Sequence, residues 1–131
     1  MECTADALID TSALIAHFRR RLHLGNTLSN YRHLYVSAIT VYELEYGARR
    51  IGRLSDWEVF LELFPLRVLS LGLEEARRAA SLQAALAAQN RHIGERDVLI
   101  AATALVHGLD LVTLNADEFQ RVPELRVVVP T

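Results

Sequence analysis

The chain has 131 residues, 51% of them hydrophobic, and a formal charge of −2, a length that suits one domain able to bury about two thirds of its unfolded surface. No apolar stretch approaches the ~20 residues of a membrane span and no basic flank with an apolar signal region opens the chain, so a soluble, cytoplasmic protein is expected. All 14 basic residues are arginine; without lysine, Schiff-base chemistry and the P-loop contact to phosphates are excluded.

Strands alternate with helices along the chain, the pattern of one α/β domain on a mainly parallel sheet. Residues 5 to 9 read as a buried first strand, followed from about Ser12 to Arg21 by a helix. A second strand is predicted at 34 to 37. The stretch Ala38 to Ile51 repeats Val41, Leu44, Ala48 and Ile51 along one helical stripe, and Gly52 ends it. Ser55-Asp56-Trp57-Glu58 matches a capping box and opens a short helix with Trp57, Phe60, Leu61 and Phe64 at helical spacing; Pro65 stops it. Residues 67 to 71 predict a third strand, and the alanine-rich stretch from Leu73 to Gln89 a helix. After a loop at 90 to 94, ERDVLIAATALVH is helical and apolar nearly all round, with Gly108 where a C-cap belongs. Residues 109 to 114 form a fourth predicted strand, 116 to 120 a helical turn and 125 to 129 a last strand. The expected fold is a three-layer α/β/α sandwich.

In open parallel sheets, ligands bind outside the carboxyl ends of the strands where strand order reverses. Asp10 follows the first strand among Ala7, Leu8, Ile9, Ala13 and Leu14, and Asp97 lies in the first turn of the apolar helix. A third candidate is Glu43 or Glu45; periodicity does not choose, although Gly47 one turn beyond Glu43 leaves room for a ligand. Each acid has a plain structural reading too: Asp10 caps the next helix, Asp97 complements the helix dipole, and the glutamate is solvated. Those readings leave unexplained why apolar flanks admit acids that no lysine pairs. Hard oxygen ligands gathered at a sheet edge suit Mg²⁺ or Mn²⁺.

These residues resemble the PIN-domain ribonucleases, and within them the VapC-type toxins of type II toxin–antitoxin pairs. LIDTSALI around Asp10, VSAITVYELEYG around Glu43, RDVLIAATALVHGLDLVTLN from Arg96 to Asn115 and the ending FQRVPELRV carry the resemblance, which covers the whole chain as a single PIN domain, residues 1 to 131. It implies Asp10, Glu43 and Asp97 as catalytic and metal-binding acids, choosing Glu43 over Glu45. It implies Mg²⁺, with Mn²⁺ as a substitute, and endonucleolytic hydrolysis of RNA. It also implies a VapB-type antitoxin, for which Trp57, Phe60, Leu61 and Phe64 are the candidate contacts, and a homodimer. The family's further acid in a T-x-D position is here an asparagine, Thr113-Leu114-Asn115. Asn115 contributes no charge, so one tightly held ion is expected, with Asp117 or Glu118 as compensating acids. Thr11, Ser12 and Thr113 are candidates for orienting the ligands. Tyr42 or Tyr46 is a candidate for stacking on a base, and Arg19-Arg20-Arg21, Arg49-Arg50 and Arg77-Arg78 for gripping phosphates.

Rival classes fail on named positions. A receiver-type domain needs a lysine, a dehalogenase-type phosphatase needs D-x-D where Asp10 is followed by Thr11 and Ser12, and an adhesion-type D-x-S-x-S site fails at Leu14. The alternative is a PIN domain that binds RNA or a protein partner without cleaving. The five histidines show no metal-ligand pairing, and His107 is read as a helix C-terminal partner for the dipole. Cys3 has no disulfide partner and no assigned role.

Overall fold

The computed structural model describes residues 5–131; Cys3 lies outside them. The strands are β1 (Asp6–Ile9), β2 (His33–Ser37), β3 (Leu66–Leu69), β4 (Asp110–Val112) and β5 (Val127–Val128). The helices are α1 (Thr11–Phe18), α2 (Gly25–Leu28), α3 (Ala38–Arg50), α4 (Leu54–Leu63), α5 (Leu73–Ala88), α6 (Glu95–His107) and α7 (Ala116–Phe119).

The strands form one sheet in the order β3-β2-β1-β4-β5, each neighbouring pair parallel. Successive strand residues point to opposite faces, and the core divides accordingly. Leu8 and Leu111 pack into one layer with Leu82 and Leu86 of α5, Val98 and Ala101 of α6, and Phe119 of α7. Ala7, Ile9, Val36 and Val112 pack into the other with Ala13 and Leu14 of α1, Leu44 of α3 and Trp57 of α4. A sheet covered on both faces explains why its strands read as nearly continuous apolar runs. The architecture is the expected three-layer sandwich.

Strand order reverses beside β1, since β2 and β3 lie on one side of it and β4 and β5 on the other. The carboxyl ends of β1 and β4 therefore border a crevice, stitched at its floor by the Asp10 N–H donating to the Val112 carbonyl at 2.9 Å. At the opposite, amino-terminal ends of β1 and β4 the acids are structural. Asp6 pairs with Arg32 at 3.3 Å; Asp110 accepts from the Tyr31 hydroxyl at 3.0 Å and pairs with Arg126 at 3.3 Å. Burial, together with that bond to Asp110, pushes the Tyr31 hydroxyl up to about 12.

Local signals place most helix ends. The Ser37 hydroxyl accepts from the Ile39 N–H at 2.9 Å and starts α3 directly after β2, which sets the angle at which Glu43 leaves the sheet. Gly108 ends α6 in the left-handed conformation, φ 65°, as its position predicts. Other expectations need correction. The capping box at Ser55 is not formed: α4 starts two residues earlier, at Leu54 with Arg53 at the cap position, and Arg53 pairs with Asp56 at 3.2 Å instead. The helix after Asp10 stops at Phe18, and α2 is a turn that periodicity over so short a stretch does not reveal. The third strand ends at Leu69 rather than Leu71, and the fourth and fifth occupy only the centres of their predicted runs, because a strand lasts only as long as its neighbour offers hydrogen bonds.

A methyl group at Gly108 would meet no heavy atom within 4 Å, so Gly108→Ala should destabilise only through its backbone, by about 1 kcal/mol in urea unfolding. Phe119→Ala, which empties a fully buried site, should cost about 3–5 kcal/mol by the same measurement.

Candidate functional site

Three acids from distant parts of the chain meet at the crevice. Asp10 follows β1 and is almost fully buried, Glu43 projects from α3, and Asp97 sits in the first turn of α6 behind the cap residue Gly94. They meet around a fourth group, the Arg96 guanidinium. Its Nη2 donates to Asp10 Oδ1 at 3.0 Å, its Nε to Glu43 Oε2 at 2.7 Å, and its Nη1 makes a short bond to Asp97 Oδ1. Each acid gives this cation one oxygen.

The other oxygen of each acid is held by an uncharged donor. Asp10 Oδ2 accepts from the Thr113 hydroxyl at 2.8 Å and the Ser12 hydroxyl at 2.9 Å. Glu43 Oε1 accepts from the Thr11 hydroxyl at 2.7 Å, which also lies 3.0 Å from the buried Thr40 hydroxyl. Asp97 Oδ2 accepts from Asn115 Nδ2 at 3.3 Å. The hydroxyls are fixed in turn, because the Leu114 N–H donates to Ser12 Oγ and the Asn115 N–H to Thr113 Oγ1. Asp10 stands at the cap position of α1 but makes no side-chain cap bond, which sets aside the capping reading.

With all three acids ionised against one guanidinium, the cluster carries two net negative charges. Burial, followed by a hydrogen bond shared with Glu118, pushes Asp97 from its ordinary 3.8 up to about 6. Burial alone would make Arg96 easier to deprotonate; its bonds to Glu43 and Asp10 outweigh that and hold the guanidinium firmly charged.

The expected residues therefore assemble: Asp10, Glu43 and Asp97 at the centre, with Thr11, Ser12, Thr113 and Asn115 around them. Glu118, not the exposed Asp117, is the neighbouring acid that reaches Asp97. Glu45 lies outside the cluster, accepting from Trp57 Nε1 at 3.3 Å and pairing with Arg49. Arg96 was missed. Its only sequence signal is an arginine beside Asp97 at the start of an apolar helix. Among the described residues, no three His, Cys, Asp or Glu side chains are spaced to hold a metal ion as they stand, because the guanidinium separates the acids.

An apolar groove of about 690 Å³ leads away from Glu43 along α3. Ile15, Phe18, Leu44, Trp57 and Phe60 line it, with Gly47 open to its space. Trp57 and Phe60 are stacked, and Phe18 meets Phe60 edge-on at 4.7 Å. Leu61 and Phe64, half-buried like Phe60 and packed against the same core, lie outside the groove lining. Tyr42 and Tyr46, on an exposed flank of α3, stack with parallel rings, and Arg50 lies over Tyr46. His107 does occupy the last turn of α6, where its ring also meets Glu75 at 3.1 Å.

The PIN domain profile matches residues 7–125. The chain belongs to the PIN-domain family. A ribonuclease VapC1 from Rickettsia felis is 36% identical over 128 residues, covering 92% of this chain and 93% of the relative. The tRNA(fMet)-specific endonuclease VapC of Salmonella typhimurium is 33% identical over 115 residues, covering 85% and 82%. Among solved structures, VapBC-1 from nontypeable Haemophilus influenzae superposes with a TM-score of 0.83 at 27% identity, covering 94% of this PIN domain and 96% of that chain. The relatives place the chain among the VapC ribonucleases of the family.

The raised carboxyl of Asp97 sets a pH dependence. The folded chain keeps this proton from about 6 downward while the unfolded chain sheds it until near 3.8, so Asp97 adds stability as pH falls through that window. In metal-free protein, the melting temperature of the parent relative to Asp97→Asn should therefore rise between pH 7 and pH 5. A difference that stays flat or falls would contradict this environment for Asp97.

Proposed function

We propose that this PIN domain is a Mg²⁺-dependent endoribonuclease and the toxin of a type II toxin–antitoxin pair, with Asp10, Glu43 and Asp97 as its metal-holding acids. The observation that carries the reading is the convergence of one oxygen from each acid on a common cation at the reversal point of the sheet. Three carboxylates are the hard donors that Mg²⁺ and Mn²⁺ take, so the donor set fits. Asp10 and Asp97 would hold the ion, with Glu43 beside them. Bound there, the ion supplies neutralisation of charge on the scissile phosphate and a more acidic water.

The chain's own residues prepare that chemistry. Thr11, Ser12, Thr113 and Asn115 fix the outer oxygens, so the inner ones need little reorientation. Asn115 does this without adding charge, which favours a single ion over two. Tyr42 and Tyr46 offer a face on which an unpaired RNA base can stack, and Arg50 a cation for its phosphate. The groove from Glu43 to Phe60 suits the apolar face of an antitoxin helix, with Arg19, Arg50 and Arg53 on its walls to meet an acidic flank. Solved relatives described as VapBC support the same partner class. The reading also carries a homodimer, measurable by light scattering.

Purified chain freed of antitoxin should cut total cellular RNA into discrete fragments with Mg²⁺ or Mn²⁺ and leave it intact with EDTA. Asp10→Ala should abolish cleavage, and Asp97→Asn should lower it by at least about 100-fold. Glu45→Gln keeps an acceptor for Trp57 and should leave the rate within about twofold. Well-folded chain that cuts nothing with either metal would favour a PIN domain that binds without cleaving. Phe60→Ala should weaken the antitoxin complex by about tenfold or more while sparing RNA cleavage.

A further inference from the structure

We infer that Arg96 is a tethered internal cation that occupies the metal position in the ion-free state and that must leave before a divalent ion can bind. The inference rests on the proposed metal-dependent reading of the same acids. Its basis is the division of oxygens around the cluster. The guanidinium takes Asp10 Oδ1, Glu43 Oε2 and Asp97 Oδ1, whereas Thr113 and Ser12, Thr11, and Asn115 hold the opposite oxygens. An ion shared by the three acids needs the oxygens that Arg96 holds. The outer oxygens remain bonded when the guanidinium departs, so the inner ones stay aimed at the vacated point.

Charge and exposure fit this exchange. One guanidinium leaves two of three negative charges uncompensated, so a divalent ion neutralises the cluster better than Arg96 does. The Arg96 side chain is 34% exposed against 2% for Asp10, so the arginine has a route to solvent that the acid lacks. The three donors of the guanidinium point to three different acids, so its departure breaks all three ion pairs together. Metal affinity is then reduced by the fraction of molecules in which Arg96 has already withdrawn. Arg96 would thus act as a positioning residue: it keeps mutually repelling carboxylates gathered between metal-binding events and sets the ion concentration at which the site fills.

The test is calorimetric titration of Mn²⁺ into metal-freed parent chain, Arg96→Gln and Arg96→Lys, with melting temperatures in EDTA and in Mn²⁺. Arg96→Gln should bind Mn²⁺ at least about tenfold more tightly than the parent, melt at lower temperature in EDTA and gain more on adding the ion. Arg96→Lys, a point charge unable to reach all three acids together, should fall between them and keeps the test open if Arg96→Gln does not fold in EDTA. Parent chain that binds Mn²⁺ while neither variant binds it more tightly would overturn the role of Arg96 and leave the metal reading standing. Folded parent and variants that all fail to bind Mn²⁺ would overturn both.

Discussion

Three carboxylates cannot share one partly buried pocket without a cation, and in this chain Arg96 supplies it. Its fork joins a strand end, a helix of one layer and a helix start of the other. The acid cluster therefore has structural as well as chemical consequences. Mutual repulsion among Asp10, Glu43 and Asp97 works against closure of the crevice, and the three ion pairs oppose it. The same geometry explains why an arginine suits this position: a lysine ammonium offers no planar fork with separate donors for separate acids.

Neutral donors do the finer positioning. Ser12, in the first turn of α1, and Thr113, just after β4, clasp the buried Asp10, and backbone N–H groups of the segment after β4 hold both hydroxyls. The loop after β4 is thereby registered against the start of α1. Asn115 completes the ring around Asp97 through an amide, where a fourth acid would have raised the negative charge and strained the balance that Arg96 maintains. Glu118 approaches the same carboxyl from α7, and burial together with that approach pushes the Asp97 carboxyl up to about 6.

Much of this was legible in the residues. The apolar runs at Ala7–Ile9 and Leu109–Val112 and the alanine-rich helix marked the layers, and the position of Asp10 at a strand end marked the crevice. The resemblance to PIN ribonucleases chose Glu43, which periodicity could not, since Glu43 and Glu45 both flank the apolar stripe and only the packing of α3 on Trp57 separates them. Strand ends were illegible because they depend on neighbours far off in sequence. Arg96 was illegible for a related reason: its three partners lie 86, 53 and one residue away, and only the folded sheet brings the first two within reach. The false capping box at Ser55 shows the opposite failure, a local motif that matched although the chain had entered α4 two residues earlier.

The chain holds one tryptophan, and Trp57 is a wall of the groove beside Glu43, its indole against Phe60 and its N–H on Glu45. Intrinsic emission excited at the red edge of the protein spectrum thus arises from this single surface. The indole is already only 5% exposed, so a helix laid along this wall would be read through its contacts with Phe60 and Glu45 rather than through loss of water. The fold has built an optical label into the groove, able to follow a partner's arrival and departure in unmodified protein.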